Sequence, residues 1–404
     1  MKHIWAPLFS LSCLMLGNGF FLTFISAYLH LEGESPLMIG LVQGAYYAGF
    51  LVAALKIEGL IQRIRHIRAF SFFASILTVV TLMQGLGEEP WMWMVLRFVA
   101  GICIASLYVV IESWLLITTK SEKRGVVLGI YMIFLYASQA AAQFIIDFLD
   151  LTSETPYLIT AILCALSVLP VTFTRTVVPE LPEHRIESTF ALLKISPFGF
   201  GGCFLSGIIL GAIYSFMPIY AQDNQLMVSQ VMSMTLVGGF LLQWPFGYLS
   251  DLFDRRKTLL LIIGFTAIVS GIMMFSIHST GLIFLLIFLL GGATFTIYPV
   301  STTQVCDRCQ AQDITKVTGV LLFVYSFGAV IGPLITPFFL HYFKLEGLFI
   351  QIFTVSFVLF FIGLYTLFRY KGVPKEKQNP FFPISAQTPL NYELDPRKKE
   401  EDEI

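Results

Sequence analysis

Charge is what this sequence has least of. Only 13% of its 404 residues are Asp, Glu, Lys or Arg, whereas 56% are hydrophobic and the mean hydropathy is +0.78. A soluble domain carries about 25% charged residues, so this chain lacks the polar surface to face water on all sides. Histidines and cysteines are also few, six of each. Four of the cysteines fall inside apolar runs, where they read as small hydrophobes. Cys306-Asp307-Arg308-Cys309 has CxxC spacing, but no second CxxC and no nearby histidine completes a metal site. No nucleophile–base set, metal cluster or phosphate-binding loop is legible, so neither an enzyme nor a cofactor is expected. A net charge of −1 says nothing about partners by itself, and no nucleic-acid partner is expected.

What the chain has instead is long apolar runs. Crossing the hydrocarbon takes about 20 apolar residues per helix. Hydropathy and helix breakers predict twelve such spans, at roughly 5–28, 37–57, 69–87, 91–117, 125–147, 157–176, 199–221, 228–249, 258–277, 282–303, 317–340 and 347–370. The first run continues to about Tyr28 without a small-residue cleavage pattern, so it reads as a retained span and not a signal peptide. The fold class is therefore all-α integral membrane. Two six-helix bundles, 1–176 and 199–370, are separated by a Pro- and charge-bearing linker, 177–198. A polar tail, 371–404, carries Pro374, Pro380 and Pro383 and is expected to be disordered.

The few cations are unevenly placed. With the N-terminus in the cytoplasm, 23 of the 25 Lys and Arg fall on cytoplasmic segments, Lys344 alone falls on an external loop, and Arg97 lies within a span. Basic residues stay on the cytoplasmic side of a membrane. Both termini are accordingly expected in the cytoplasm, with the spans in a lipid bilayer.

Glycine and basic residues also mark a repeat. Gly247-Tyr248-Leu249-Ser250-Asp251-Leu252-Phe253-Asp254-Arg255-Arg256-Lys257 follows the second span of the second half, and Gly59-Leu60-Ile61-Gln62-Arg63-Ile64-Arg65-His66-Ile67-Arg68 follows the second span of the first half, 188 residues earlier. Gly101 and Tyr108 in span four correspond to Gly291 and Tyr298 in span ten, and Gly129 to Gly319, all at an offset of 190. A near-constant offset over many helices implies duplication of a six-helix unit. Two such halves face each other across a cleft at mid-membrane.

Gly247…Asp251…Arg255-Arg256 resembles the hairpin motif of the major facilitator superfamily, with Asp254 in place of the usual second glycine. The first-half copy departs further, with Arg63 at the acidic position and His66 at the second glycine. The resemblance covers nearly the whole chain. Arg97-Phe98-Val99-Ala100-Gly101 is similar to the family's span-four motif. Together with Val109-Val110-Ile111-Glu112-Ser113 and Phe295-Thr296-Ile297-Tyr298-Pro299-Val300, it resembles the YcaD-like branch of bacterial major facilitators. It implies a gate in which Gly59, Arg63 and Arg68, and Gly247, Asp251, Arg255 and Arg256, hold the cytoplasmic side closed without touching solute.

Span four carries the chemistry best. At about 100° per residue, Arg97, Gly101, Tyr108 and Glu112 share one helix face. A charge inside a span is costly unless it meets a cavity or a partner, so this face is expected to look inward. Arg97 and Glu112 lie about 22 Å apart along the axis at about 1.5 Å per residue and need separate partners. Arg97 reads either as an anion or proton-coupling site or as a structural arginine. Glu112 reads either as a partner of Arg63, Arg65 or Arg68 or as a proton carrier. Asn18 and Thr23 of span one, Tyr214 and Tyr220 of span seven, and Tyr298 and Thr302 of span ten complete a polar-aromatic lining if spans one, four, seven and ten surround the cleft. Gln139, Gln143, Gln243 and Trp244 are lesser candidates. Gly328-x3-Gly332-Pro333 reads as a close-packing face.

The expected function is secondary transport of a small organic solute by alternating access, as a proton-coupled exporter or antiporter working as a monomer. Symport or uniport uptake is an alternative, and a non-transporting receptor of the same fold is another.

Overall fold

A computed structural model describes residues 4–64, 66–87, 89–120, 123–172, 195–275, 279–309, 314–369, 372–374, 378 and 381, with the backbone alone for 54–64, 116–117 and 315–316. The described chain is helical throughout. In the first half, α1 is Trp5–Leu31, α2 Pro36–Ile64, α3 His66–Leu86, α4 Pro90–Thr118, α5 Arg124–Gln143 and α6 Thr155–Leu166, the last continued by a short turn, Val168–Thr172. In the second half, α7 is Pro197–Asp223, α8 Val228–Leu252, α9 Arg255–Met273, α10 Thr280–Cys306, α11 Ile314–Phe343 and α12 Gly347–Arg369. All twelve predicted spans therefore appear as helices. The connection expected at 177–198 lies almost wholly outside the described residues.

Among the described residues, ten stretches are long and apolar enough to cross a membrane, one of them, Val317–Arg369, running through both α11 and α12. Apolar side chains also point outward: Val95 is 63% exposed, Trp244 76%, Ile268 62% and Phe361 51%. A helix that is hydrophobic all round belongs in a membrane or a large core, and these side chains meet lipid. Trp244, a lesser candidate for the cleft, is one of them.

The two halves repeat each other. In the first, α1 packs on α5 and α6, α2 on α4, and α3 on α4 and α6; in the second, α7 packs on α11 and α12, α8 on α10, and α9 on α10 and α12. Each contact recurs six helices later. Between the halves α2 packs on α11 and α5 on α8, with α1 against α7.

Glycine makes the tightest of these contacts possible. A Cβ on Gly49 would run into the carbonyl of Phe98, and one on Gly101 into that of Tyr46, so α2 and α4 touch backbone to backbone. Gly238 meets the Phe288 carbonyl and Gly291 that of Thr235 in the α8–α10 pair. Gly328 and Gly332 of α11 likewise sit on the carbonyls of Phe204 and Ile208 in α7. Membrane helices associate through such close approach.

Candidate functional site: a tyrosine-lined cavity and a buried charged face

Between the halves lies a cavity of about 90 Å³, room for a handful of waters at about 10–15 Å³ each. Its wall takes Asn18 from α1, Tyr46 and Tyr47 from α2, Tyr108 from α4, Tyr136 and Gln139 from α5, Tyr214 from α7, Phe295 and Tyr298 from α10, and Tyr325 and Ser326 from α11. Seven of these are tyrosines. The Tyr47 hydroxyl and the Ser326 Oγ are buried without a hydrogen-bond partner. An orphaned polar group in a low-dielectric interior is costly, and both face the space a solute or water would occupy.

Of the residues proposed for the cleft, Asn18, Tyr108, Tyr214 and Tyr298 line this cavity. Tyr108 donates to Met15 Sδ at 2.8 Å, and Gln139 Nε2 approaches the same sulfur at 3.6 Å. Thr302 does not reach the wall; it is buried one turn beyond Tyr298, 3.8 Å from Cys203 Sγ. Thr23 and Gln143 bond each other at 2.6 Å and join α1 to α5. Tyr220 packs edge-on against Phe349. Gln243 reaches the Phe295 carbonyl at 3.5 Å.

Four wall tyrosines, Tyr46, Tyr47, Tyr136 and Tyr325, were not expected. They come from α2, α5 and α11, the helices that pack across the interface between the halves. The cleft is thus built from seven helices and not from spans one, four, seven and ten alone.

Both charges of α4 are buried. Arg97 is 1% exposed. It donates to Gln43 Oε1 at 3.3 Å, lies over the Tyr46 ring at 4.3 Å and stands 5.8 Å from that of Phe21. Its Nε has no hydrogen-bond partner. Tyr46 separates it from the cavity, so Arg97 stands just behind the wall. Glu112 is fully buried and accepts the Tyr131 hydroxyl of α5. Of the arginines considered for it, Arg68 is exposed on α3, and the side chains of Arg63 and Arg65 lie outside the described residues, as does the neighbourhood of Gly59.

The second-half hairpin is an ion-pair cluster. Arg255 donates to Asp251 at 2.9 Å and to Asp307 at 2.8 Å, tying the ends of α8, α9 and α10 together. Asp254, where the motif has glycine, caps α9 by accepting from the Arg256 backbone at 3.0 Å and its guanidinium at 2.7 Å. Burial pushes the Asp254 carboxyl up, but the Arg256 hydrogen bonds and charge outweigh it and hold it below the usual carboxylate range. The tail contributes as well. The Phe381 N–H points at both Asp251 oxygens, at 2.8 and 3.0 Å, its ring covers Gly247, and Phe381 is itself buried. Phe381, which lies in the segment expected to be disordered, therefore packs on the hairpin.

Polar contacts that cross between the halves include His30–Asp223 at 2.8 Å, Gln222 to the Ala27 carbonyl at 3.4 Å and Ser233 to the Ala140 carbonyl at 3.0 Å. All three lie toward the end opposite the hairpins, where they join the two halves.

A duplicated six-helix bundle enclosing a mid-membrane cavity is the architecture of a membrane carrier, and comparison with known proteins identifies which. The family model of the Major Facilitator Superfamily matches residues 8–227 and 200–390. The chain is 32% identical over 343 residues to an uncharacterized MFS-type transporter, YcaD, of Escherichia coli O139:H28, covering 83% of this chain and 88% of that one; the YcaD protein of Escherichia fergusonii is 31% identical over the same span. The fold matches a point mutant of the nucleoside transporter NupG, with a TM-score of 0.77 at 14% identity over 90% of this chain and 100% of that one. It also matches a bacterial homolog of the human lysosomal transporter Spinster in an inward-facing, unoccupied conformation, with a TM-score of 0.73 at 14% identity over 91% and 97%. The chain belongs to the major facilitator superfamily. It is a multi-pass membrane protein.

Proposed function

We propose that this chain exports a small organic solute in exchange for protons, by alternating access of its two halves to the central cavity. The observation that carries the reading is the cavity between the halves, with Arg97 of α4 just behind its wall and Glu112 buried one turn along α4 from the wall residue Tyr108. Intramembrane charges mark solute and proton paths. Glu112 is the protonatable group: a buried carboxylate whose single-proton chemistry suits coupling. Arg97 is the fixed positive charge on the same helix. The hairpin end faces the cytoplasm of a bacterial inner membrane, because 23 of 25 basic residues lie on that side. The His30–Asp223 end then faces outward, and its contact joins the two halves there, so loading is from the hairpin end. The protein works as a monomer.

The test is flux in proteoliposomes under an imposed pH gradient. A solute moved by the wild type, with accumulation lost in Glu112→Gln and Arg97→Ala, supports the reading. Gradient-driven accumulation that survives Arg97→Ala removes Arg97 from coupling, and no movement of any solute defeats the transport reading. Labelling of a cysteine in 177–198 from outside overturns the orientation.

A further inference from the structure

We infer that the solute is a small organic anion whose counter-ion is Arg97, an inference that rests on the transport reading above. A guanidinium keeps its proton at physiological pH, and a buried cation needs an anion nearby. Among the described residues Arg97 has no carboxylate partner. Its direct polar contact is the neutral Gln43 Oε1, at a long 3.3 Å. Gln43 is in turn anchored through its Nε2 to Ser26 Oγ at 2.6 Å and to the Leu22 carbonyl at 3.0 Å, so the acceptor is fixed and cannot wrap the cation more closely. The remaining guanidinium surface lies against the rings of Tyr46 and Phe21, and Nε is unsatisfied. Such an arrangement holds a cation in place without neutralising it.

Tyr46 is the partition between this cation and the cavity. One face covers the guanidinium, while its hydroxyl meets Asn18 at 3.3–3.4 Å, a bond at the weak end of the range. Turning Tyr46 aside exposes the Arg97 fork, which matches carboxylate and phosphate geometry. The cavity wall carries no charge of its own. Its tyrosine rings suit an apolar or aromatic body, and the fixed charge of Arg97 behind Tyr46 favours an anionic group on that body over a cationic one. At about 90 Å³ the cavity is smaller than the roughly 150 Å³ that accommodates benzene, so admitting such a solute requires the halves to part. An anionic cargo also fits the outward direction. An inside-negative potential drives each expelled negative charge with about 2.3 kcal/mol per 100 mV.

The experiment compares isosteric pairs on the purified full-length protein: benzoate against benzamide, and acetate against acetamide, titrated by calorimetry. At least one carboxylate is expected to bind tenfold or more tightly than its amide. Arg97→Gln is expected to bring that ratio to about one. Arg97→Lys, which keeps the charge but not the fork, retains a preference with weakened affinity, and it serves as the second variant should the first not fold. Equal binding of acid and amide, no binding of either acid, or an unchanged ratio in Arg97→Gln overturns the inference. Proteoliposome flux separates the two claims. Carboxylate binding with no solute moved sinks transport and leaves the counter-ion site standing. Movement of neutral solutes that no carboxylate inhibits sinks the counter-ion site and leaves transport standing.

Discussion

Helices α4 and α10 are the same helix twice, and they differ where it matters. Gly101 and Gly291 make the same close crossing, and Tyr108 and Tyr298 both reach the cavity. At the same offset of 190, however, Arg97 corresponds to Ile287 and Glu112 to Thr302. The shape of the cleft is duplicated; its charge is not. The hairpins divide the other way. The second half keeps the acid and the arginines, tied across three helix ends and covered by Phe381, whereas the first replaces the acid with Arg63. The charges of the α4/α10 pair thus lie in one half, and the acid–arginine hairpin of the sequence motif in the other.

This division can be broken experimentally. The largest effect is expected in the second-half hairpin: Arg255→Ala removes the buried cation that joins Asp251 to Asp307 and should cost about 3 kcal/mol, seen as a large fall in the melting temperature of the purified protein. Next come the duplicated crossings. Gly101→Val and Gly291→Val should each cost about 1–3 kcal/mol by forcing helices apart, and a stability scan in which only one matters would undo the claim that the crossings are equivalent. Removing residues 372–404 deprives Asp251 of the Phe381 N–H and should cost about 1 kcal/mol. Faster hydrogen exchange at the 247–256 hairpin would report it, and unchanged exchange would mean the tail bears no load. The smallest effect is that of the α9 cap, where Asp254→Ala should cost about 1 kcal/mol. Because the folded carboxyl sits below its unfolded value, the cap is fully in place above about pH 4 and fades only as pH falls through the lower folded value. Wild type and Asp254→Ala should therefore converge in stability in strong acid and differ by a constant amount near neutrality.

Most of the scaffold was legible because membrane helices advertise themselves by length and apolarity, and because the repeat offset aligned Gly101 with Gly291 before any contact was known. The inward face of α4 was also legible, since an intramembrane charge has so few places to go. The wall itself was only half visible. A tyrosine in a span packs, sits at the interface or lines a cavity with similar ease, and nothing local separates Tyr46 or Tyr325 from Tyr342, which is exposed. The pairing of Glu112 with Tyr131 spans two helices and has no periodic signature. Thr302 shared a helix face with Tyr298 but sits a turn too far along the axis, a distance that an angular projection discards. The seat of Phe381 was hidden because a proline-punctuated polar segment looks the same whether it floats or docks.

The central claim is that the first half alone carries the coupling charge. It is tested most directly by following solute-induced proton movement with a pH-sensitive dye inside proteoliposomes, using wild type, Glu112→Gln and Thr302→Val across a panel of small organic solutes. The predicted result is a solute that moves protons in wild type and in Thr302→Val but not in Glu112→Gln. Proton movement that survives Glu112→Gln, or that is lost equally in Thr302→Val, would contradict it.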